Sequence, residues 1–130
     1  MQVSEAESVV MAVLWEAEAD GRAPLAAEDV VAALAQRQDW QEATIKTLLN
    51  RLLKKGAIAA RRDGRRYLYT PVLERDAWLS GESEGLLQRL FDGRVAPLVT
   101  HFSRQRKLSR KDIAELRKLL EELDDDDRRR

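Results

Sequence analysis

A mainly α-helical chain with one small β-hairpin is the fold class this sequence predicts, and three observations predict it. Apolar residues recur at helical spacing through most of the 130 residues, and a charged fraction of 35% suits long helices with wet faces better than a β-sandwich. One Asp-Gly pair, Asp63-Gly64, lies between two extended segments, which is a strong hairpin signal. Beyond Glu74 strand-forming patterns stop and only helical ones remain.

The elements follow in order. Ser4-Glu5-Ala6-Glu7 is a capping-box pattern, and Val9, Val10, Val13, Leu14 and Trp15 form a stripe behind it, so a first helix is predicted from Ser4 to about Ala19. Asp20-Gly21-Arg22-Ala23-Pro24 reads as a turn, with Leu25 ending a very short strand. Ala27 to Gln36, with Val30, Val31 and Leu34 on one side, is predicted as a second helix. Asp39-Trp40-Gln41 leads into a third. There Ile45, Leu48, Leu49, Leu52 and Leu53 share one face, while Thr44, Lys46, Thr47, Asn50, Arg51 and Lys54 share the other. Gly56 suits the left-handed residue that ends a helix, after Lys54-Lys55 in the last turn. Two strands are then expected around Asp63-Gly64 as the turn residues, with Tyr67, Leu68 and Tyr69 on the return.

Three helices followed by a hairpin is the order of a winged helix-turn-helix, whose third helix enters the DNA major groove. After it, Trp78, Leu79, Leu86, Leu87, Leu90 and Phe91 predict a helix to about Asp92, broken or bent near Gly81 or Gly85. Gly93 separates this from Val95, Leu98, Val99 and Phe102. Ser109, with Asp112 three residues on, caps a last helix carrying Ile113, Leu116, Leu119, Leu120 and Leu123. Three short helices this apolar have too little chain to enclose one another, so a second copy is expected to cover Leu86, Leu87, Leu90, Phe91, Leu98, Phe102, Ile113, Leu116 and Leu120. The expected organisation is a winged-helix domain over 1–72, a helical dimerisation domain over 73–123 and a charged, disordered tail over 124–130.

Composition narrows the function. The chain has no Cys and one His, which excludes disulfides and thiolate sites and gives little support to a multi-histidine metal site or a Ser-His-Asp triad. No apolar run approaches the roughly 18 residues of a membrane span, and no cleavable leader follows Met1, so a soluble cytoplasmic protein without membrane insertion is expected. The net charge is zero, yet its distribution is uneven. Residues 1–35 hold one Arg against seven acids, whereas residues 36–70 hold nine Lys or Arg against three acids, a local charge of +6. Because screening acts over about 8–10 Å, a partner feels the patch rather than the total.

That patch has the chemistry of double-stranded DNA recognition. From Thr44 to Lys55 no acid interrupts the polar face, although an ordinary solvated helix alternates acids and bases. Asn50 and Arg51 can pair with base edges, Thr44 and Thr47 can touch a thymine methyl, and Lys46 and Lys54 can neutralise phosphate. Arg61, Arg62, Arg65 and Arg66, with Tyr67, bracket the turn in a number beyond what protecting a strand edge requires. Trp15, Trp40 and Trp78 read as core anchors rather than a stacking site. His101 lacks ligand partners nearby, and Ser80, Ser83 and Ser109 lack a base, so neither a metal, a cofactor nor an enzyme is expected.

Several stretches taken together carry a resemblance. Ser4-Glu5-Ala6-Glu7, Val13-Leu14-Trp15, Asp39-Trp40, Thr44 to Gly56, Tyr67-Leu68-Tyr69-Thr70-Pro71 and Leu90-Phe91-Asp92-Gly93 resemble the BlaI/MecI family of penicillinase repressors. The likeness runs from about residue 4 to residue 123, and Leu48-Leu49-Asn50-Arg51-Leu52 with Lys54-Lys55-Gly56 is its most specific part. It implies a homodimeric winged-helix repressor on an inverted-repeat operator, dimerised by its C-terminal helices. It also implies, for β-lactam-responsive members, a sensor-linked protease that leads to cleavage of an Asn-Phe bond. The matching position here is His101-Phe102, where the Asn is replaced. The cysteine motifs of copper-responsive relatives are missing. Gln41 stands where the family often has a capping Ser or Thr, with Asp39 as the nearest substitute cap. The alternative function is a winged-helix protein-protein interaction subunit without sequence-specific DNA binding.

Overall fold

The computed structural model describes residues 1–129 and contains α1 (Glu5–Ala19), β1 (Leu25–Ala26), α2 (Ala27–Leu34), α3 (Glu42–Lys55), β2 (Ile58–Asp63), β3 (Arg66–Pro71), α4 (Arg75–Phe91), α5 (Val95–Arg104) and α6 (Arg110–Arg128). The chain forms two compact units, Met1–Ser80 and Gly81–Arg130.

In the first unit, the capping box forms as the sequence implies: Ser4 N–H donates to Glu7 Oε1 (2.9 Å) and Glu7 N–H to Ser4 Oγ (3.1 Å). Helices α1, α2 and α3 enclose a core in which Val10, Met11, Leu14, Val30, Leu34, Leu49 and Leu52 are at most 1% exposed. Each such aliphatic burial contributes about 1.5–3 kcal/mol. Fully buried Met11 joins the α1 face, whereas Val9 only packs at its margin. A three-stranded antiparallel sheet in the order β1-β3-β2 closes the core with Leu25, Ile58 and Tyr69.

Helix α3 ends in a Schellman arrangement. Gly56 takes φ 78°, Gly56 N–H donates to Leu53 O (3.1 Å) and Ala57 N–H to Leu52 O (3.0 Å). At its other end Gln41 is the N-cap and makes no side-chain cap, and Asp39 does not replace it among the described residues. The hairpin corrects the expected turn. Asp63 pairs with Arg66, so the two loop residues are Gly64 and Arg65 rather than Asp63 and Gly64. Gly64 alone has positive φ (65°), the pattern of a II′ turn with Gly at its first central position.

Residues 73–80, expected to open the second domain, pack with the first unit. Trp15 Nε1 donates to Leu73 O (2.9 Å), and the Trp15 and Trp78 ring centroids lie 5.5 Å apart. Trp15 is buried, and Trp40 and Trp78 pack against the core.

Helix α4 is unbroken through Gly81 and Gly85, against the expected interruption. Each glycine weakens a helix by roughly 1 kcal/mol without forbidding it, and the space around both is open. In the second unit, Asp92 (φ 52°) and Gly93 (φ 75°) turn the chain into α5. Ser109 caps α6, accepting from Asp112 N–H (3.0 Å) while Asp112 returns the bond. The stretch from residue 124 is helical through Arg128 rather than a disordered tail, with Arg130 outside the described residues. Extending a formed helix needs no new nucleus, so four aspartates do not stop it. None of α4, α5 and α6 buries a residue.

Candidate nucleic-acid interface

The apolar face of α3 fixes where its polar face points. With Ile45, Leu48, Leu49 and Leu52 in the core, Thr44, Lys46, Thr47, Asn50, Arg51 and Lys54 are all exposed. Thr47 Oγ1 donates to Ala43 O (2.9 Å), which leaves its lone pairs and methyl group for a partner. Beside this face stands the wing, where Arg61, Arg62, Arg65, Arg66 and Tyr67 are exposed as well. All eleven residues predicted to bind DNA are therefore accessible.

The structure brings some of them together. A cleft of about 320 Å³ is lined by Lys46 and Asn50 of α3, by Arg65, Arg66 and Tyr67 of the wing, and by the start of α2. Arg51 and Lys54 lie outside this cleft, farther along α3, as do Arg61 and Arg62 on β2. The strand register divides the wing between two faces. Arg62 pairs across with Tyr67 on one face, whereas Arg61 opposite Leu68 and Asp63 opposite Arg66 lie on the other.

Two acids that sequence reasoning missed also line the cleft, Glu28 and Glu42. Glu42 sits one turn before Lys46 and pairs with it at 3.2 Å, a spacing that could have been read as an i,i+4 pair. Glu28 reaches Arg66 at 3.1 Å across 38 positions, for which no local signal exists. Asp63 approaches the same guanidinium at 3.8 Å. Arg62 Nε donates to Gly64 O (3.1 Å) along the turn. Among the described residues, Arg51, Lys54, Arg61 and Arg65 make no ion pair.

Electrostatics elsewhere in the unit are structural. Burial pushes the Glu7 carboxyl up, but hydrogen bonds from Lys55 and Ser4 outweigh it and hold the group below the usual glutamate value. Hydrogen bonds from Arg37 lower Glu16 in the same sense, through a two-point contact at 2.9 and 3.2 Å. No group of three or more His, Asp or Glu placed to hold a metal occurs among the described residues, and no described helix is long and apolar enough to cross a membrane.

The predicted dimerisation residues are uncovered. Leu86, Leu90, Phe102, Ile113 and Leu120 are exposed, Leu120 by 63%, and Leu87, Phe91, Leu98 and Leu116 are half-buried. His101 and Phe102 lie inside α5, both exposed, with the His101 ring tilted against Phe91 at a centroid distance of 6.3 Å and edge-on to Phe102 at 5.7 Å.

A family model described as penicillinase repressor matches residues 3–122. The penicillinase repressor of Bacillus licheniformis is 33% identical over 121 residues, spanning 93% of this chain and 91% of that protein. The methicillin resistance regulatory protein MecI of Staphylococcus aureus is 29% identical over 119 residues, spanning 92% of this chain and 93% of that protein. The solution structure of the DNA-binding domain of the repressor BlaI is 35% identical, covers 57% of this chain and 84% of that one, and superposes with a TM-score of 0.50.

Proposed function

The chain belongs to the penicillinase repressor family, a family of transcriptional repressors and not of enzymes, and on that premise we propose how it binds DNA. Helix α3 enters the major groove, with Thr44, Thr47, Asn50 and Arg51 towards base edges and Lys46 and Lys54 towards phosphate. The wing lies on the flanking backbone, with Tyr67, Arg61, Arg62 and Arg65 towards it. The observation that carries this reading is the joint exposure of an acid-free polar helix face, Thr44 to Lys55, and an arginine-rich wing beside it.

A homodimer presents two such faces to an inverted-repeat site. Its support is the second unit, whose helices bury nothing and leave Leu90, Val95, Leu119, Leu120 and Leu123 more than half exposed. A monomer in water would keep that apolar surface wet, whereas a second copy removes it from solvent.

Selection of duplexes from a random pool by the full chain, followed by salt titration of the enriched duplex, tests the reading. Affinity should fall steeply with salt, and Arg51→Ala should lose about 1–3 kcal/mol on the enriched duplex. Failure to bind any duplex at low salt would overturn it and leave the winged helix as a protein-binding module.

A further inference from the structure

Of the seven cations on the proposed DNA face, Arg66 is held differently from the rest. Its Nη1 meets Glu28 Oε1 at 3.1 Å and its Nη2 faces Asp63 Oδ2 at 3.8 Å. Both terminal nitrogens are thus directed at carboxylates of this chain. The two acids come from different elements: Asp63 is the cross-strand partner of Arg66 at the end of the hairpin, and Glu28 lies in the first turn of α2. A guanidinium between them ties the tip of the wing to the helix that precedes α3. Arg66 shares its sheet face with Arg61, opposite Arg62 and Tyr67, so what sets it apart is its two carboxylate partners and not its face. Arg61 and Arg65 have no ion-pair partner among the described residues, and Arg62 has only a backbone carbonyl.

A cation that already faces two carboxylates offers a phosphate little net attraction. The incoming anion must either displace the acids or accept their repulsion, and it releases fewer counterions for its trouble. We propose that Arg66 is a positioning residue: anchored by Glu28 and Asp63, it fastens the wing against α2 and leaves the wing's phosphate contacts to Arg61, Arg62 and Arg65. Exposed pairs of this kind are individually weak, so the expected effects are small.

The DNA arm rests on the function proposed above and uses the full chain on its enriched duplex. Arg65→Ala should flatten the slope of log K against log salt by about 0.9. Arg66→Ala should keep the slope and lose about two- to five-fold in affinity, and Arg66→Lys should restore most of that loss. Glu28→Gln should likewise keep the slope and lose affinity to a similar small extent. If Arg66 touches phosphate instead, Arg66→Ala flattens the slope as Arg65→Ala does, and Glu28→Gln, by freeing the guanidinium, binds more tightly than the parent. Either result overturns the assignment.

A second arm needs no DNA. Amide hydrogen exchange of the wing in the free chain should quicken about two- to five-fold in Glu28→Gln and in Arg66→Ala, and stay unchanged in Arg65→Ala. Equal rates in all variants would overturn the strut even if the chain proved not to bind DNA.

Discussion

Lys55→Met should destabilise the first unit by an amount that depends on pH. Glu7 is 1% exposed; its Oε1 accepts from the Ser4 amide and from Lys55 Nζ, and its Oε2 is buried without a partner among the described residues. Lys55 also donates to Gln2 O (2.8 Å), so one ammonium ties the end of α3 to the start of α1. Removing one member of a fully buried ion pair costs about 3–5 kcal/mol. The Lys55 side chain is 36% exposed, and water screens its half of the pair. The expected loss at pH 7 is therefore lower, about 1–3 kcal/mol.

The sign with pH follows from the depressed carboxyl. The folded pKa of Glu7 lies below its ordinary 4.5. Its contribution is full above the unfolded value and drains as pH falls through the folded one. In Lys55→Met, burial acts without the ammonium, so the Glu7 pKa rises relative to the parent. The gap between the two proteins should narrow below about pH 4.5, as Glu7 becomes protonated in both. Urea unfolding followed by far-ultraviolet circular dichroism, at fixed protein concentration because of the proposed dimer, measures it. A penalty of equal size at pH 7 and well into the acid range would show that Lys55 acts through its methylenes, and the charge-pair reasoning would be refuted.

Other outcomes follow from packing. Leu52→Ala, at a fully buried α3 position, should cost about 2–5 kcal/mol of unfolding free energy, and a loss under 1 kcal/mol would place Leu52 outside the core. Trp15→Phe removes the donor to Leu73 O in a part-buried hydrogen bond and should cost about 0.5–1.5 kcal/mol by urea unfolding, because water reaches the half-buried carbonyl in part. Leu120→Asp, at a residue 63% exposed in the single chain, should shift the protein towards monomer in sedimentation experiments while leaving the helical signal of the first unit. An unchanged sedimentation coefficient would remove Leu120 from the dimer face.

Features set within one or two turns of chain are legible from residue spacing. The helical repeat of Ile45, Leu48, Leu49 and Leu52 assigns one face of α3 to the core and thereby its opposite face to solvent. The Ser4 and Ser109 capping boxes and the Gly56 terminus depend only on residues within one turn. A glycine inside a helix is a weaker signal, since α4 absorbs Gly81 and Gly85, and four aspartates do not end α6. The turn is intermediate: Asp-Gly locates a hairpin, but the pairing of whole strands chose Gly64 and Arg65 as its loop.

Partnerships across the chain were decided by tertiary structure alone. Glu28 meets Arg66 over 38 positions, Lys55 meets Glu7 over 48, and Trp15 reaches Leu73 over 58. Local periodicity says which face of an element turns inward, because that depends on the helix or strand repeat. Which charge then stands opposite which depends on how the elements cross, and crossing is set by the packed core as a whole. Periodicity and composition alone establish that a basic, acid-free helix face and a basic hairpin exist. Only the fold decided that they flank one cleft, and that Glu28 and Asp63 already face one of the hairpin's arginines.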